Sequence, residues 1–219
     1  MTTATDHVPG FRDAGFTARV EVLAALLGEF RRRGWTPATS SNFSFRVGPG
    51  HCAVTASGGD KATVREEDLL IVDLDGRVLD GAPDRRPSAE AGLHQALYRR
   101  DATIGAVLHT HAPRALLAAR VLRERPLRLA GYELLKAFEG IDTHAAELAV
   151  PVVANDQDID RLAAAADALL DGTPGARAYL IEGHGVYAWG SDLAAAARHL
   201  EALDYLLGIE LELLRLGSR

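Results

Sequence analysis

The feature that most limits what this chain can fold into is the way its apolar residues change spacing along the sequence. Val20, Leu23, Leu26, Leu27 and Phe30 recur at helical intervals and predict an amphipathic helix over 16–33, stopped at Gly34. Residues 42–47 alternate instead, with Phe43 and Phe45 on one side, which is the period of a strand. Residues 51–55 read as a second short strand. Residues 69–73 and 77–79 flank Asp75-Gly76, a hairpin turn. Helices and strands then intermingle. Pro87-Ser88 opens a helix to about Arg100, with Ser88 as N-cap, and 104–111 is a strand. Pro113 begins a helix to about Arg123. A short strand over 148–154 is broken at Pro151, and 158–170 is a helix. Strands at 178–181 and 185–189 surround the turn Glu182-Gly183-His184, and 193–216 is a long final helix. This order predicts a layered α/β domain with a mixed or mostly antiparallel sheet. No G-x-G-x-x-G follows a first strand and no P-loop is present, which disfavours a Rossmann fold.

Composition narrows the class. Apolar residues make up 47% and charged residues 25% of 219, so neither a disordered nor a fibrous chain fits. A chain of this length buries roughly 70% of its unfolded surface and needs no disulfide to fold. We expect one domain over 1–219, with 1–10 as a flexible tail. No apolar run reaches the ~18 residues of a membrane span. The one cysteine, Cys52, cannot form an intrachain disulfide, and a reducing, cytoplasmic setting follows. The first residues show no signal peptide pattern. The net charge of −6 is interspersed, and the one basic run, Arg31-Arg32-Arg33, sits at a helix end, so neither nucleic acid nor a membrane is an expected partner.

The chemistry begins at His109-Thr110-His111. Residues two apart in a strand share a face, so two imidazoles there can hold one divalent ion. His184 lies between Gly183 and Gly185 in a tight turn, where glycines allow close backbone approach. Three neutral imidazoles with an open position describe a catalytic rather than a structural zinc site. A cupin would need a Glu three or four residues after the second His, where Arg114 and Ala115 stand. His94 and His199 lie in helices and read as structural or solvent-facing. His7 and His51 have no partner pattern, and His144 reads as a surface loop residue.

Two carboxylates, Glu90 and Glu133, are candidates for a general acid/base, although each position also suits an exposed carboxylate in a first helical turn. Ser40-Ser41-Asn42, Ser57-Gly58-Gly59 and Ser88 are small polar residues at turns or helix starts. Such turns bind phosphate well, and Lys61 would add a point charge. Turn chemistry calls for the same residue types.

Taken together, Ser41 to Arg46, Thr55 to Gly58, Pro87 to Glu90, Ala106 to His111 and Gly183 to Gly185 resemble the class II aldolase/adducin family over nearly the whole chain. The segments Gly131-Tyr132-Glu133-Leu134-Leu135-Lys136 and Tyr187-Ala188-Trp189-Gly190 resemble its dehydratase branch rather than its sugar-phosphate aldolases. So do Asn155 to Ile159 and Arg198 to Leu203. Two positions depart from the pattern: Gly59-Asp60-Lys61-Ala62 stands where Arg-Asp-Lys-Gly is expected, and Ala112 where Ser is expected.

The resemblance implies a three-layer α/β/α domain around a mixed, mostly antiparallel sheet. It implies Zn²⁺, one per subunit, on His109, His111 and His184, acting as a Lewis acid on a five-carbon ketose 1-phosphate with a methylthio group at C5. Loss of water from C4 would use Glu133 as base and then acid, with Glu90 the second candidate. Ser41, Asn42, Ser57, Gly58, Ser88 and Lys61 would hold the phosphate. A homotetramer is implied, with sites at subunit interfaces. The alternatives are an aldolase or epimerase acting on fuculose or ribulose phosphate, and a non-catalytic scaffold, which would be expected to lack the ligand histidines.

Overall fold

The computed structural model describes residues 10–59, 63–122 and 125–217. Lys61 and residues 1–9 of the expected tail lie outside them. Helix α1 (Ala14–Arg32) starts two residues before its predicted position, because Asp13 Oδ1 accepts the Phe16 N–H at 2.8 Å. Along the chain follow strands β1 (Asn42–Gly48), β2 (His51–Thr55), β3 (Leu69–Asp73) and β4 (Val78–Asp80), then α2 (Ala91–Arg100), β5 (Ala106–Thr110) and α3 (Pro113–Val121). Next come β6 (Leu127–Ala130), β7 (Glu147–Val150), β8 (Val152–Val153) and α4 (Ile159–Asp171). The chain closes with β9 (Ala178–Ile181), β10 (Gly185–Gly190) and α5 (Leu193–Arg215).

Among the described residues, eight strands form one sheet in the order β4-β3-β2-β1-β5-β10-β9-β8. Every neighbouring pair is antiparallel except β8–β9, so the sheet is mixed and mostly antiparallel as expected. Strands β6 and β7 pair apart from it, and Pro151 hands the chain from that ribbon into β8.

Alternation along the strands builds the layers. Phe43, Phe45, Leu108, Leu180 and Val186 face α1, α3 and α5. Val54, Val72, Val107, Tyr179 and Trp189 face the opposite way, against Leu93 and Leu97 of α2 and Leu162 and Ala166 of α4. Each such Leu or Phe contributes roughly 1.5–3 kcal/mol relative to exposure, so both faces of the sheet are held and its strand ends are fixed in space. Cys52 is free and buried, and burial pushes its thiol up to about 12, leaving it inert. No helix among the described residues is long and apolar enough to cross a membrane.

Two local expectations are corrected. Helix α2 begins at Ala91 with Glu90 as its N-cap, not at Ser88. An antiparallel bridge between Ala56 and Pro87 and the bond from Ser57 N–H to the Arg86 carbonyl (2.9 Å) hold residues 86–87 extended, so the helix starts later. Strand β6 was not anticipated: only Leu127 and Leu129 alternate inward, over four residues.

Candidate active site

Strand register assembles the site. Asn42 of β1 and Tyr187 of β10 both lie opposite His109 of β5. His111 falls one residue beyond β5, where its N–H donates to the Trp35 carbonyl at 2.9 Å. His184 occupies the β9–β10 turn, with Gly183 at φ 66°. At Gly185 a Cβ would stand 2.3 Å from the Thr110 carbonyl oxygen and 3.0 Å from His109 Cε1, so only glycine lets the turn close onto β5. The three rings converge: one ligand atom from each lies within 4.8 Å of the others.

The surroundings prepare these rings as ligands. His109 Nδ1 lies 3.1 Å from the Val186 carbonyl, to which it donates, and its Nε2 lone pair is left facing the cluster. The ring stacks on Tyr187 with centroids 4.3 Å apart. Burial, only partly opposed by Glu90, holds His109 well below its ordinary pKa, and burial followed by the nearby His184 lowers His111. Neutral imidazole is the ligating form. Three converging nitrogen ligands fit a divalent ion.

Glu90 closes one side of the cluster. Its Oε1 lies 3.1 Å from His184 Nε2 and its Oε2 lies 3.3 Å from His109 Nε2. Oε2 also accepts from Asn42 Nδ2 and from the Tyr187 hydroxyl, each at 3.0 Å. Burial alone would raise this carboxyl, but the hydrogen bonds from His184 and Asn42 hold it well below the usual carboxylate range. Burial pushes the Tyr187 hydroxyl far up, so it stays a donor.

The small polar turns gather at the same end of the sheet. Ser44 pairs with Val54, which places the start of β1 beside the end of β2, and the Ser57–Arg86 bond draws the Ser88 turn alongside. Ser41 and Gly58 both adopt left-handed backbone, at φ 83° and 74°. The segments carrying Ser41, Ser57, Gly58 and Ser88 therefore lie at the same end of the sheet as His109. The Asn42 side chain engages Glu90 and His94 with its two polar atoms.

Glu133 is placed differently. It begins a single 3₁₀ turn (Glu133–Ala137), its side chain is 71% exposed, and it pairs with Lys136. That hydrogen bond lowers its pKa. The exposed His144 approaches it at 3.8 Å. None of its contacts among the described residues reaches the histidine cluster. It borders a groove of about 560 Å³ lined also by Leu134, Arg198 and Tyr205. The turn is fastened to α5: Arg198 Nε donates to the Ala137 carbonyl at 2.9 Å, and the Glu139 N–H donates to His199 Nε2 at 3.0 Å. His199 is thus a buried clamp, in line with the structural reading.

His94 is more than the sequence reading made of it. It is fully buried, with Nε2 against Asn42 Oδ1 and Nδ1 2.7 Å from Ser44 Oγ. The available signal was its spacing: four residues after Glu90, it lies on the same helical face.

A mixed sheet carrying three strand-end histidines and a carboxylate defines the class of protein. The family model described as Class II Aldolase and Adducin N-terminal domain matches residues 21–211, and the chain belongs to that family. Among curated relatives, the methylthioribulose-1-phosphate dehydratase of Xanthomonas oryzae pv. oryzae (strain KACC10331 / KXO85) is 55% identical over 100% of this chain and 96% of its own length. The protein of the same name from Xanthomonas campestris pv. campestris (strain 8004) is 54% identical over 92% of this chain and 94% of its own. The solved structure of an L-fuculose 1-phosphate aldolase superposes with a TM-score of 0.74 at 25% identity, covering 92% of this chain and 88% of that one.

Proposed function

We propose that this chain is a hydro-lyase that dehydrates 5-methylthioribulose 1-phosphate to 2,3-diketo-5-methylthiopentyl 1-phosphate, a step of methionine salvage in the cytoplasm. The observation that carries this reading is the His109–His111–His184 cluster closed by Glu90, in a chain 55% identical along its whole length to a relative bearing that activity in its name. His109, His111 and His184 hold one Zn²⁺ per subunit; Fe²⁺, Co²⁺ or Mn²⁺ suit the same ligands, and availability decides among them. When bound, the ion supplies Lewis-acid polarisation of the ketose carbonyl.

The chain's own groups do the rest. Ser41, Ser57, Gly58 and Ser88, with Lys61, anchor the phosphate, and this remote binding fixes C3 and C4 relative to the carboxylates. Glu133, whose pKa the hydrogen bond from Lys136 lowers, takes the C3 proton. It then returns that proton to the C4 hydroxyl, which leaves as water, and the enol left behind rearranges to the diketone. Glu90 is the second candidate for this acid/base role. Because Glu133 faces outward beside the exposed Leu134 and Tyr205, this reading has it serve the cluster of a neighbouring copy in a homotetramer.

The test is a dehydration assay on purified, metal-analysed protein, with 5-methylthioribulose 1-phosphate beside fuculose 1-phosphate. Water loss from the first and no cleavage of the second is expected. Cleavage of the second alone would replace the dehydratase with a sugar-phosphate aldolase.

A further inference from the structure

We infer that His94 is a positioning residue: through Asn42 it sets the direction in which the Glu90 carboxylate faces His109 and His184. The inference deepens the proposed dehydration and rests on that reading only for its kinetic arm.

A single buried chain of hydrogen bonds runs from α2 to the site. Tyr98 Oη lies 2.8 Å from Ser44 Oγ, Ser44 Oγ lies 2.7 Å from His94 Nδ1, His94 Nε2 meets Asn42 Oδ1, and Asn42 Nδ2 lies 3.0 Å from Glu90 Oε2. Ser44 and His94 have no solvent exposure, and Tyr98 and Asn42 have almost none, so water cannot replace a lost partner. The Tyr187 ring packs edge-on against His94 with centroids 5.4 Å apart, while its hydroxyl donates to the same Glu90 oxygen.

Only one polarity satisfies every link. Tyr98 donates to Ser44, Ser44 donates to His94 Nδ1, His94 Nε2–H donates to the Asn42 carbonyl, and the Asn42 amide donates to Glu90. In the reverse polarity His94 would carry its proton on Nδ1 and take a hydrogen bond from the Asn42 amide. The Asn42 carbonyl would then face the Glu90 carboxylate, acceptor against acceptor at 3.0 Å. The tautomer of a histidine on the far side of Asn42 therefore decides whether Glu90 is gripped or repelled. This explains why α2 carries Glu90 and His94 one turn apart: the first enters the site and the second stands behind it.

The first measurement needs no catalysis. Long-range ¹H–¹⁵N spectra of ¹⁵N-histidine-labelled, metal-loaded protein report the tautomer of each ring, with the His94 signals identified by their loss in His94→Gln. The inference expects the Nε2–H tautomer at His94, and an Nδ1–H tautomer overturns it. In the kinetic arm, His94→Phe is expected to lower kcat about 10- to 100-fold at full metal content. KM should stay within about twofold, because substrate binding is untouched. His94→Gln, which keeps a donor toward Asn42, should recover much of the loss. A folded, metal-loaded His94→Phe protein with wild-type kcat overturns the inference as well. Failure of wild-type protein to dehydrate the substrate would instead sink the functional reading, and the tautomer result would still decide the positioning. Should His94→Phe not fold, that spectrum of the wild-type protein decides alone.

Discussion

Glu90 and Glu133 are both carboxylates near the start of a helical turn, yet the molecule treats them in opposite ways. The Glu90 side chain is 22% exposed and is gripped by groups from three strands and a turn, the farthest 97 residues away in sequence. Glu133 is mostly exposed, and its partners, Lys136 and His144, are sequence neighbours. The Glu90 half of this pair is thus built by the folding of a single chain, and the Glu133 half is presented outward. A carboxylate's immediate sequence context does not set its environment; the register of distant strands does.

The largest expected effect comes from the built half. His184→Ala should lose bound metal and lower activity by about 10³-fold or more, read by metal analysis and the dehydration assay. Next is the outward half. Glu133→Gln should keep its metal while losing about 10²- to 10⁴-fold in kcat, the range for a general acid/base. Retention of full activity would move the role to Glu90. The two variants together test the contrast itself. If Glu133 serves a neighbour's cluster, subunits of His184→Ala and Glu133→Gln reassembled as a mixture should regain about a quarter of the activity. No recovery would mean that both halves act within one chain.

A smaller effect separates the regions by pH. Burial holds the folded-state pKa of His94 down to about 3, against an unfolded value of ~6.5. The unfolded chain therefore takes the proton first as pH falls. The stability His94 contributes is complete above ~6.5 and is lost between there and the folded value, at roughly 1 kcal/mol per pH unit. His199, lowered mainly by burial, acts in the same direction. Denaturant titrations from pH 7 to 4.5 should show a steeper loss for wild type than for His94→Gln, and equal slopes would contradict the burial argument. Smallest of all, Lys136→Ala removes an exposed pair and should leave the thermal midpoint unchanged.

The same contrast explains what could be read from the sequence. Periodicity located α1, β1 to β3, α4, β9, β10 and α5 within a few residues, because their apolar faces are long enough to show a period. The three histidines stood out through spacing and flanking glycines, and the fold brings them together. Strand β6 was not legible because two inward leucines make no pattern, and the start of α2 was displaced by a bridge to Ala56, far away in sequence. Asn42 reads from the sequence as part of a phosphate-binding turn and His94 as a structural or solvent-facing helix residue. Their partnership depends on β1 pairing with β5 and on α2 crossing that face, which no local window contains.

A metal titration of metal-stripped protein, with bound Zn²⁺ and dehydration of 5-methylthioribulose 1-phosphate followed in the same samples, decides whether the histidine cluster and the activity belong together. Activity is expected to rise in proportion to bound metal and to level off at one ion per chain, with His109→Ala binding none at that site. Full activity in stripped protein, or an undiminished ion in His109→Ala, would contradict it.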